Sequence, residues 1–482
     1  MPAESAAPTT PTAPAGPAVP ATPAGPATPT ASAAPGPGTA AVPDLLYREQ
    51  EEDLRAAVRA LLADRCPASA VLDHIATDRT HDADLWRTLA VDIGVAGLLV
   101  PEAYGGQGAG PREAAVVLEE LGRAVAPVPY LTSAVIATQT LLTCVEAVTT
   151  ADRGGVADDR GTAPEPGDRA APTAAPPAHG PVAAPAGAAA SGDPTGPAAE
   201  PTAPDGAVTP ADPTALLADL AAGERIAVLT VPLSRAPGAG QVPSVRAAAD
   251  ATLTGEVSSV ADALAADVLL VPAHGPGGSE LYVVETGGHA ADRLRRDPIT
   301  PLDLTRPLAR IRFDGAPAHR IAGPGTADAA IEAGLRTGAG LLASEQLGLA
   351  EWCLAETVRH TRERHQFGRP VGSFQALKHR MAGLWLDLVS ARAAARAAAD
   401  ALATGAADAP IAVAVAQAHG ARVAVHAAHT CVQLHGGIGM TWEHPAHLYL
   451  KRAKSDEIAL GTPGRHQEAL AALVDLPAPP TT

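Results

Sequence analysis

The order of hydrophobic patterns along the chain limits its possible folds more than any other feature. In the first part, apolar residues such as Leu54, Val58 and Leu62 recur at helical spacing among charged ones. Residues 225–321 change to short β-branched runs separated by Gly, Pro and Asp, and from Ala327 onward the pattern is helical again. Because strands and helices do not alternate, a doubly wound sheet is disfavoured. The sequence predicts an α+β, mainly α, fold.

Two low-complexity tracts divide the chain. Both are rich in Ala, Pro and Gly and cannot bury enough apolar surface to offset the entropy of ordering, so they are predicted to be disordered. The predicted organisation is a disordered tract (1–43), an N-terminal helical domain (44–145), a disordered insertion (146–213), the end of the N-terminal domain (214–225), a middle β domain (226–322), a C-terminal helical bundle (323–475) and a tail (476–482).

Composition excludes several classes of function. The formal charge of −17 argues against nucleic-acid and anionic-membrane partners, which require a basic surface. Cys66, Cys144, Cys353 and Cys431 are too far apart for a disulfide framework or a Cys/His metal site, so no metal is predicted. No uncharged apolar stretch is long enough to cross a bilayer and the N-terminus lacks a signal-peptide pattern. A cytoplasmic protein without a membrane span is expected.

Three segments carry the most specific patterns. RHQFGRPVGSFQALKH (364–379) is predicted to join two of three long helices, 327–364 and 374–403. QLHGGIGMTWEHP (433–445) follows the third, 409–435, where bare glycine backbone ends a helix and allows a ligand to approach closely. GLLVPEAYGGQG lies in the N-terminal helical domain. Each pattern alone is weak, but their combination and order are specific.

Together the three segments resemble the signatures of the acyl-CoA dehydrogenase family, R-x-x-F-G-x-P-x-x-x-F-Q, Q-x-x-G-G-x-G and G-L-x-x-P-E-x-Y-G-G-x-G. The resemblance covers the chain except the two tracts. It implies a middle β-barrel, a C-terminal four-helix bundle, FAD bound at a subunit interface, an acyl-CoA substrate and an electron acceptor such as an electron-transfer flavoprotein.

The resemblance also implies the cofactor contacts. Arg364 is expected to face the pyrophosphate and Gln375 to hydrogen-bond the same dinucleotide, while the backbone of 433–437 holds the ADP portion in a neighbouring subunit. The expected cofactor-binding residues are Arg364, Gln375, Gln433, Leu434, His435, Gly436, Gly437 and Thr462.

The catalytic base departs from the family pattern. α,β-Dehydrogenation needs a carboxylate to take the α-proton. Most members carry it in an E-G-T triplet, and here Leu460 precedes Gly461 and Thr462. Other members carry it on the first C-terminal helix, at the position of Gly338. Glu345 on that helix is a candidate for a displaced base, and the alternative is a carboxylate satisfied by structural partners.

The β-domain motif beside the flavin ring, normally L-T-E-P followed by G-S-D, is reduced to Leu229-Thr230-Val231-Pro232. The acyl side of the site has therefore changed more than the pyrophosphate side.

The segments 302–306 and 449–463 resemble acyl-CoA dehydrogenases of bacterial lipid and steroid side-chain breakdown, some of which are α2β2 heterotetramers. The leading hypothesis is a dehydrogenase subunit that lacks the usual base and needs a homologous partner. The alternatives are a self-sufficient homo-oligomer using Glu345, a flavin-dependent oxidase or monooxygenase, and a structural or regulatory subunit without turnover.

Overall fold

A computed structural model describes residues 43–155, 212–240 and 243–477, with only the backbone described over 150–155. Most of the two tracts predicted to be disordered, and residues 478–482 of the predicted tail, lie outside this part of the chain.

The N-terminal region is helical, as the periodicity predicts. Its helices are α1 (Glu49–Arg65), α2 (Ala68–Ile75), α3 (Ala83–Arg87), α4 (Pro111–Ala124), α5 (Thr138–Gly155) and α6 (Pro213–Ala221). Asp82 and Asp212 cap α3 and α6 by accepting backbone N–H bonds at 3.1 and 2.9 Å. Helix α5 continues past the boundary predicted after residue 145, because no proline follows in the sequence before Pro164.

One apolar helical run in this region, Tyr130–Thr149, has the length and hydropathy of a membrane span. The sequence analysis predicted no such stretch. However, 72% of the run is buried inside the fold, where it packs against the first C-terminal helix. Its hydropathy is therefore that of a core helix.

The middle region forms one sheet in the order β6-β7-β3-β2-β4-β5-β8, with β1 also paired to β4. Its strands are β1 (Ala227–Leu229), β2 (Val245–Ala247), β3 (Thr252–Ala261), β4 (Val268–Gly275), β5 (Gly278–Glu285), β6 (Leu294–Ile299), β7 (Leu308–Pro317) and β8 (His319–Ala322). The pairs of β4 with β1 and β2 are parallel and the others antiparallel. Sequence patterns missed β2, β6 and β8. Strands β2 and β8 are very short, and β6 is an edge strand that contains charged residues and Pro298.

The C-terminal region consists of helices, and the bounds of the three longest agree with the predicted runs to within a residue. They are α7 (Thr326–Glu363), α8 (Gln375–Thr404), α9 (Ala409–His435), α10 (Ala446–Ile458) and α11 (Pro463–Leu473). Between α7 and α8 lies a hairpin of β9 (His365–Gln366) and β10 (Arg369–Pro370).

Helix α7 also packs against the N-terminal helix α4, at a crossing that requires glycine. A Cβ added to Gly348 would lie 1.8 Å from the carbonyl oxygen of Glu119, and one added to Gly122 would lie 2.2 Å from that of Glu345. The two backbones therefore touch at this crossing. This contact brings the middle of α7, with Glu345, into the interior of the protein.

Candidate functional site

Arg364 lies directly after α7 and is exposed. Its backbone N–H donates to the carbonyl oxygen of His360 at 2.9 Å, and its carbonyl accepts from Val371 at 2.8 Å, which holds the hairpin at the helix end. Phe367 and Gly368 form the tip with φ values of 53° and 72°. The guanidinium of Arg364 has no ion pair among the described residues, so it is available to a ligand.

Gln375 and Gln433 are exposed at the ends of their helices. Gln375 is the first residue of α8, and Gln433 lies in the last turn of α9, followed by half-buried Leu434 and buried His435. A Cβ added to Gly436 or Gly437 would meet no atom within 4 Å, so bare backbone faces open space. Amide side chains and open backbone N–H groups are the donors that phosphate and sugar oxygens accept.

The ends of α7 and α9 meet through two histidine rings. The ring centroids of His360 and His435 are 4.2 Å apart. Because Arg364 follows His360 by one turn and Gly436 follows His435 directly, the structure brings the predicted pyrophosphate and ADP segments to one end of the bundle.

Neither position for the family's base carries a carboxylate, and both lie in one apolar contact. Leu460 is buried, and its backbone N–H donates to the carbonyl oxygen of Leu233 at 2.7 Å. A Cβ added to Gly338 would lie 2.6 Å from Cγ1 of Ile136 and 3.2 Å from Cδ1 of Leu460. Two apolar side chains therefore fill the space that a carboxylate at either position would occupy.

A cavity of about 460 Å³ lies beside this contact, between the β1–β2 loop and α11. Glu468 supplies its only lining carboxylate among the described residues; this side chain is 71% exposed and pairs with Arg465 at 3.2 Å. Nε and Nη2 of Arg235, which also lines the cavity, are buried without a hydrogen-bond partner among these residues. Thr462 is exposed nearby and caps α11. The cavity wall is therefore more cationic than acidic.

Glu345 lies at the centre of a buried group of charges and is 2% exposed. Nη2 of Arg306 donates to both of its oxygens, at 2.7 and 2.8 Å, and Nη1 of Arg452 donates to Oε1 at 2.6 Å. Arg306 also pairs with Asp456, and Arg452 with Asp303, each at 2.5 Å. The buried guanidinium groups of Arg306 and Arg452 therefore donate hydrogen bonds to the carboxylate of Glu345 and occupy both of its oxygens.

The group contains four carboxylates and two guanidinium groups, so its acidic charge is only partly compensated. We call it the buried ion cluster: Asp262, Asp303, Arg306, Glu345, Arg452 and Asp456. Burial raises the pKa of Asp456 to about 8, and the Glu345 carboxylate acts in the same direction. Burial also raises the pKa of Asp262 to about 6, against a hydrogen bond from Thr132. We therefore expect Asp456 to hold a proton near neutral pH.

Two of the predicted site positions, Gly338 and Arg364, mark widely separated places along α7. Gly338, which contacts the Leu460 side chain, and Arg364 are 26 positions apart, or about 39 Å along a straight helix.

Sequence reasoning missed two features. The partners of Glu345 lie in the segments 302–306 and 449–463, which the sequence analysis used only for their resemblance to relatives. Oγ1 of Thr230, at the end of β1, is buried without a hydrogen-bond partner among the described residues. The Leu-Thr-Val-Pro motif, which contains Thr230, was the sequence signal that could have identified this hydroxyl.

The fold and this donor set define a class of flavoprotein oxidoreductase. An unpaired arginine, two exposed amides and bare glycine backbone at one end of a helical bundle are donors that fit a dinucleotide.

Comparison with known proteins identifies the family. Family models for the N-terminal and C-terminal domains of acyl-CoA dehydrogenases match residues 48–148 and 327–474. The acyl-CoA dehydrogenase IpdE2 of Mycobacterium tuberculosis is 30% identical over 417 residues, which cover 86% of this chain and 94% of that protein. The chain belongs to the acyl-CoA dehydrogenase family, whose cofactor is FAD and whose members oxidise the CH–CH group of acyl-CoA thioesters.

Solved structures show the same fold. The ChsE4–ChsE5 complex from Mycobacterium tuberculosis contains a chain that is 25% identical, with a TM-score of 0.67, covering 90% of this chain and all of that one. A Tcur3481–Tcur3483 steroid acyl-CoA dehydrogenase has 26% identity and a TM-score of 0.66, with coverage of 89% and 98%.

Proposed function

We propose that this chain is an FAD-binding acyl-CoA dehydrogenase subunit that lacks its own catalytic base and works with a homologous partner subunit. The observation that carries the proposal is the apolar contact of Ile136, Gly338 and Leu460, which occupies both positions where the family places the base. Leucine and glycine cannot accept the α-proton, and the base must come from another chain.

The two separated places on α7 support the need for a second chain. An FAD held by Arg364 would bind at one end of the bundle, about 39 Å along the helix from the Leu460 region of the same chain. We infer that its flavin ring would lie at the acyl side of a neighbouring subunit. FAD would supply the acceptor for the hydride, and Arg364, Gln375 and the 433–437 backbone of this chain would hold its phosphates and ADP portion.

Exposed apolar side chains near this end of the bundle support an interface. Phe367 is 89% exposed at the hairpin tip, and Met440 and Trp442 are exposed in the segment after α9. Trp385 and Leu386 form an exposed apolar pair on α8. Large exposed apolar side chains are typical of surfaces that a partner chain covers.

The contacts of Glu345 argue against its use as a base. Three hydrogen bonds from two buried guanidinium groups hold its carboxylate, and moving it toward a substrate would leave Arg306 and Arg452 short of acceptors. We assign Glu345 a structural role, which disfavours the self-sufficient enzyme.

The substrate class follows from the relatives. A steroid acyl-CoA dehydrogenase and a two-component complex are among the similar structures, so we propose a lipid or steroid side-chain acyl-CoA thioester as substrate. We also propose that an electron-transfer flavoprotein accepts the electrons from the reduced flavin and that the protein is cytoplasmic.

Anaerobic absorbance spectra test the proposal. The chain is purified alone and after co-expression with a homologous subunit from the same source, and each sample is titrated with a panel of acyl-CoA thioesters. We expect flavin bleaching only in the co-expressed sample. A fully flavinated chain that bleaches when alone would contradict the proposal, and a flavinated pair that never bleaches would favour a subunit without turnover.

Replacing Arg364 with alanine should weaken FAD binding by about 10- to 100-fold, because a charge-assisted hydrogen bond contributes about 1.5–3 kcal/mol. Fluorescence titration of FAD into the flavin-stripped assembly measures the change, and circular dichroism checks helix content. Arg362→Ala is the matched control, because Arg362 is an exposed arginine two residues earlier, in the last turn of α7. Equal FAD affinity in the two variants would refute the role of Arg364.

A further inference from the structure

Glu356 on α7, His435 at the end of α9 and His444 before α10 direct ligand-type atoms at one point. Oε1 of Glu356 lies 3.6 Å from Nε2 of His435 and 3.7 Å from Nε2 of His444. The three atoms lie within 4.8 Å of one another. Zinc with N and O ligands at about 2.0–2.2 Å in tetrahedral geometry separates its ligand atoms by about 3.4 Å. The two distances from Oε1 of Glu356 to the histidine nitrogens are close to this value.

The state of His435 supports a cation at this point. Its side chain is fully buried, and Nδ1 lies 2.7 Å from the carbonyl oxygen of Cys431, so Nδ1 carries the hydrogen and Nε2 presents a lone pair. Nε2 is buried and has no hydrogen-bond partner among the described residues. In the neutral ring, Nε2 and the Glu356 oxygen 3.6 Å away are two acceptors without a hydrogen between them, and a metal ion between the two atoms would satisfy both.

Two contacts must change when an ion binds. Arg359 donates to both oxygens of Glu356, at 2.5 and 2.8 Å, but it is 55% exposed and can turn into solvent. The backbone N–H of Ala446 donates to Nδ1 of His444 at 3.2 Å, and Nδ1 must take up a hydrogen for Nε2 to bind a metal. These changes lower the affinity without blocking the site.

We propose that Glu356, His435 and His444 bind a divalent transition-metal ion of the Zn²⁺ type. Two imidazoles and one carboxylate suit Zn²⁺ and leave a fourth position for water, whereas Ca²⁺ and Mg²⁺ prefer oxygen ligands. The sequence analysis predicted no metal because it considered the cysteines, and these ligands come from three separate elements. The ion joins α7, α9 and the loop before α10 beside the 433–437 segment. The inference rests on these contacts and is independent of the proposed function.

Zinc binding to the full chain tests the proposal. Chelator-treated protein is titrated with Zn²⁺ by calorimetry, and bound metal is counted by elemental analysis after dialysis. The variants are His444→Gln and Glu356→Gln, with His429→Gln, an exposed position on α9, as the matched control. We expect one Zn²⁺ per chain in the native protein and in the control. Each ligand variant should bind about 100-fold more weakly, since loss of an outer-shell partner alone weakens binding by about 10- to 100-fold.

Cobalt supplies an independent readout, because Co²⁺ bound in a tetrahedral site absorbs strongly in the visible region. We expect this absorption in the native protein and in His429→Gln, and its loss in the folded ligand variants, with folding checked by circular dichroism. The proposal is overturned by the absence of stoichiometric binding, or by equal zinc affinity in the ligand variants and the control.

Discussion

Replacing Glu345 with glutamine is expected to lower the free energy of unfolding by about 3–5 kcal/mol, the usual effect of removing one partner from a buried ion pair. The side-chain shape is kept, but an amide N–H₂ then faces the guanidinium of Arg306, and Arg452 loses a charged acceptor. Urea or guanidinium denaturation of the native and variant chains measures the change at constant m-value.

Glu363→Gln on the same helix is the matched control. Glu363 is exposed and pairs with Arg359, so this substitution should change stability by less than about 1 kcal/mol. A structural role for Glu345 would be disproved if Glu345→Gln kept full stability and the assembled, flavinated enzyme lost turnover. That result would identify Glu345 as the base.

Replacing Asp456 with asparagine should make the protein more stable above about pH 4, by an amount that grows with pH. The pKa of Asp456 rises from 3.8 to about 8 on folding, so between these values the folded chain holds a proton that the unfolded chain has released. Stability of the native protein therefore falls by about 1.4 kcal/mol per pH unit from this group. Asparagine keeps an acceptor for Arg306 and has no proton to lose.

Thermal or denaturant unfolding at several pH values from 4 to 8 measures the difference between native and variant. Asp84→Asn, at a carboxylate that is 75% exposed, is the control and should give a constant difference. If the Asp456→Asn difference is equally constant over this range, Asp456 does not hold a proton in the folded protein.

The helices and the main strands were predictable because their signals are local. Helix α9 has the predicted bounds, and α7 and α8 differ by one residue at each end, since 3.6-residue periodicity extends over their whole length. The strand β6 was missed because it is defined by pairing with β7 rather than by its own residues, which include two arginines and a proline.

The site was predictable in part. The motifs at Arg364 and Gln433 identified the family, and counting along the chain placed Leu460 where the base is expected. The partners of Glu345 were not predictable, because Arg306 and Arg452 are 39 and 107 positions away in the sequence. The metal-type cluster was also missed, since Glu356 and His435 belong to helices that meet only after packing.

The sequence by itself determined the order of helical and β regions, the family and the absence of a carboxylate at Leu460 and Gly338, because each depends on residue identity or on local spacing. Only the tertiary structure decided that Ile136 closes the space between Gly338 and Leu460 and that buried arginines hold Glu345. These properties depend on distances between segments remote in the chain, and packing alone sets such distances.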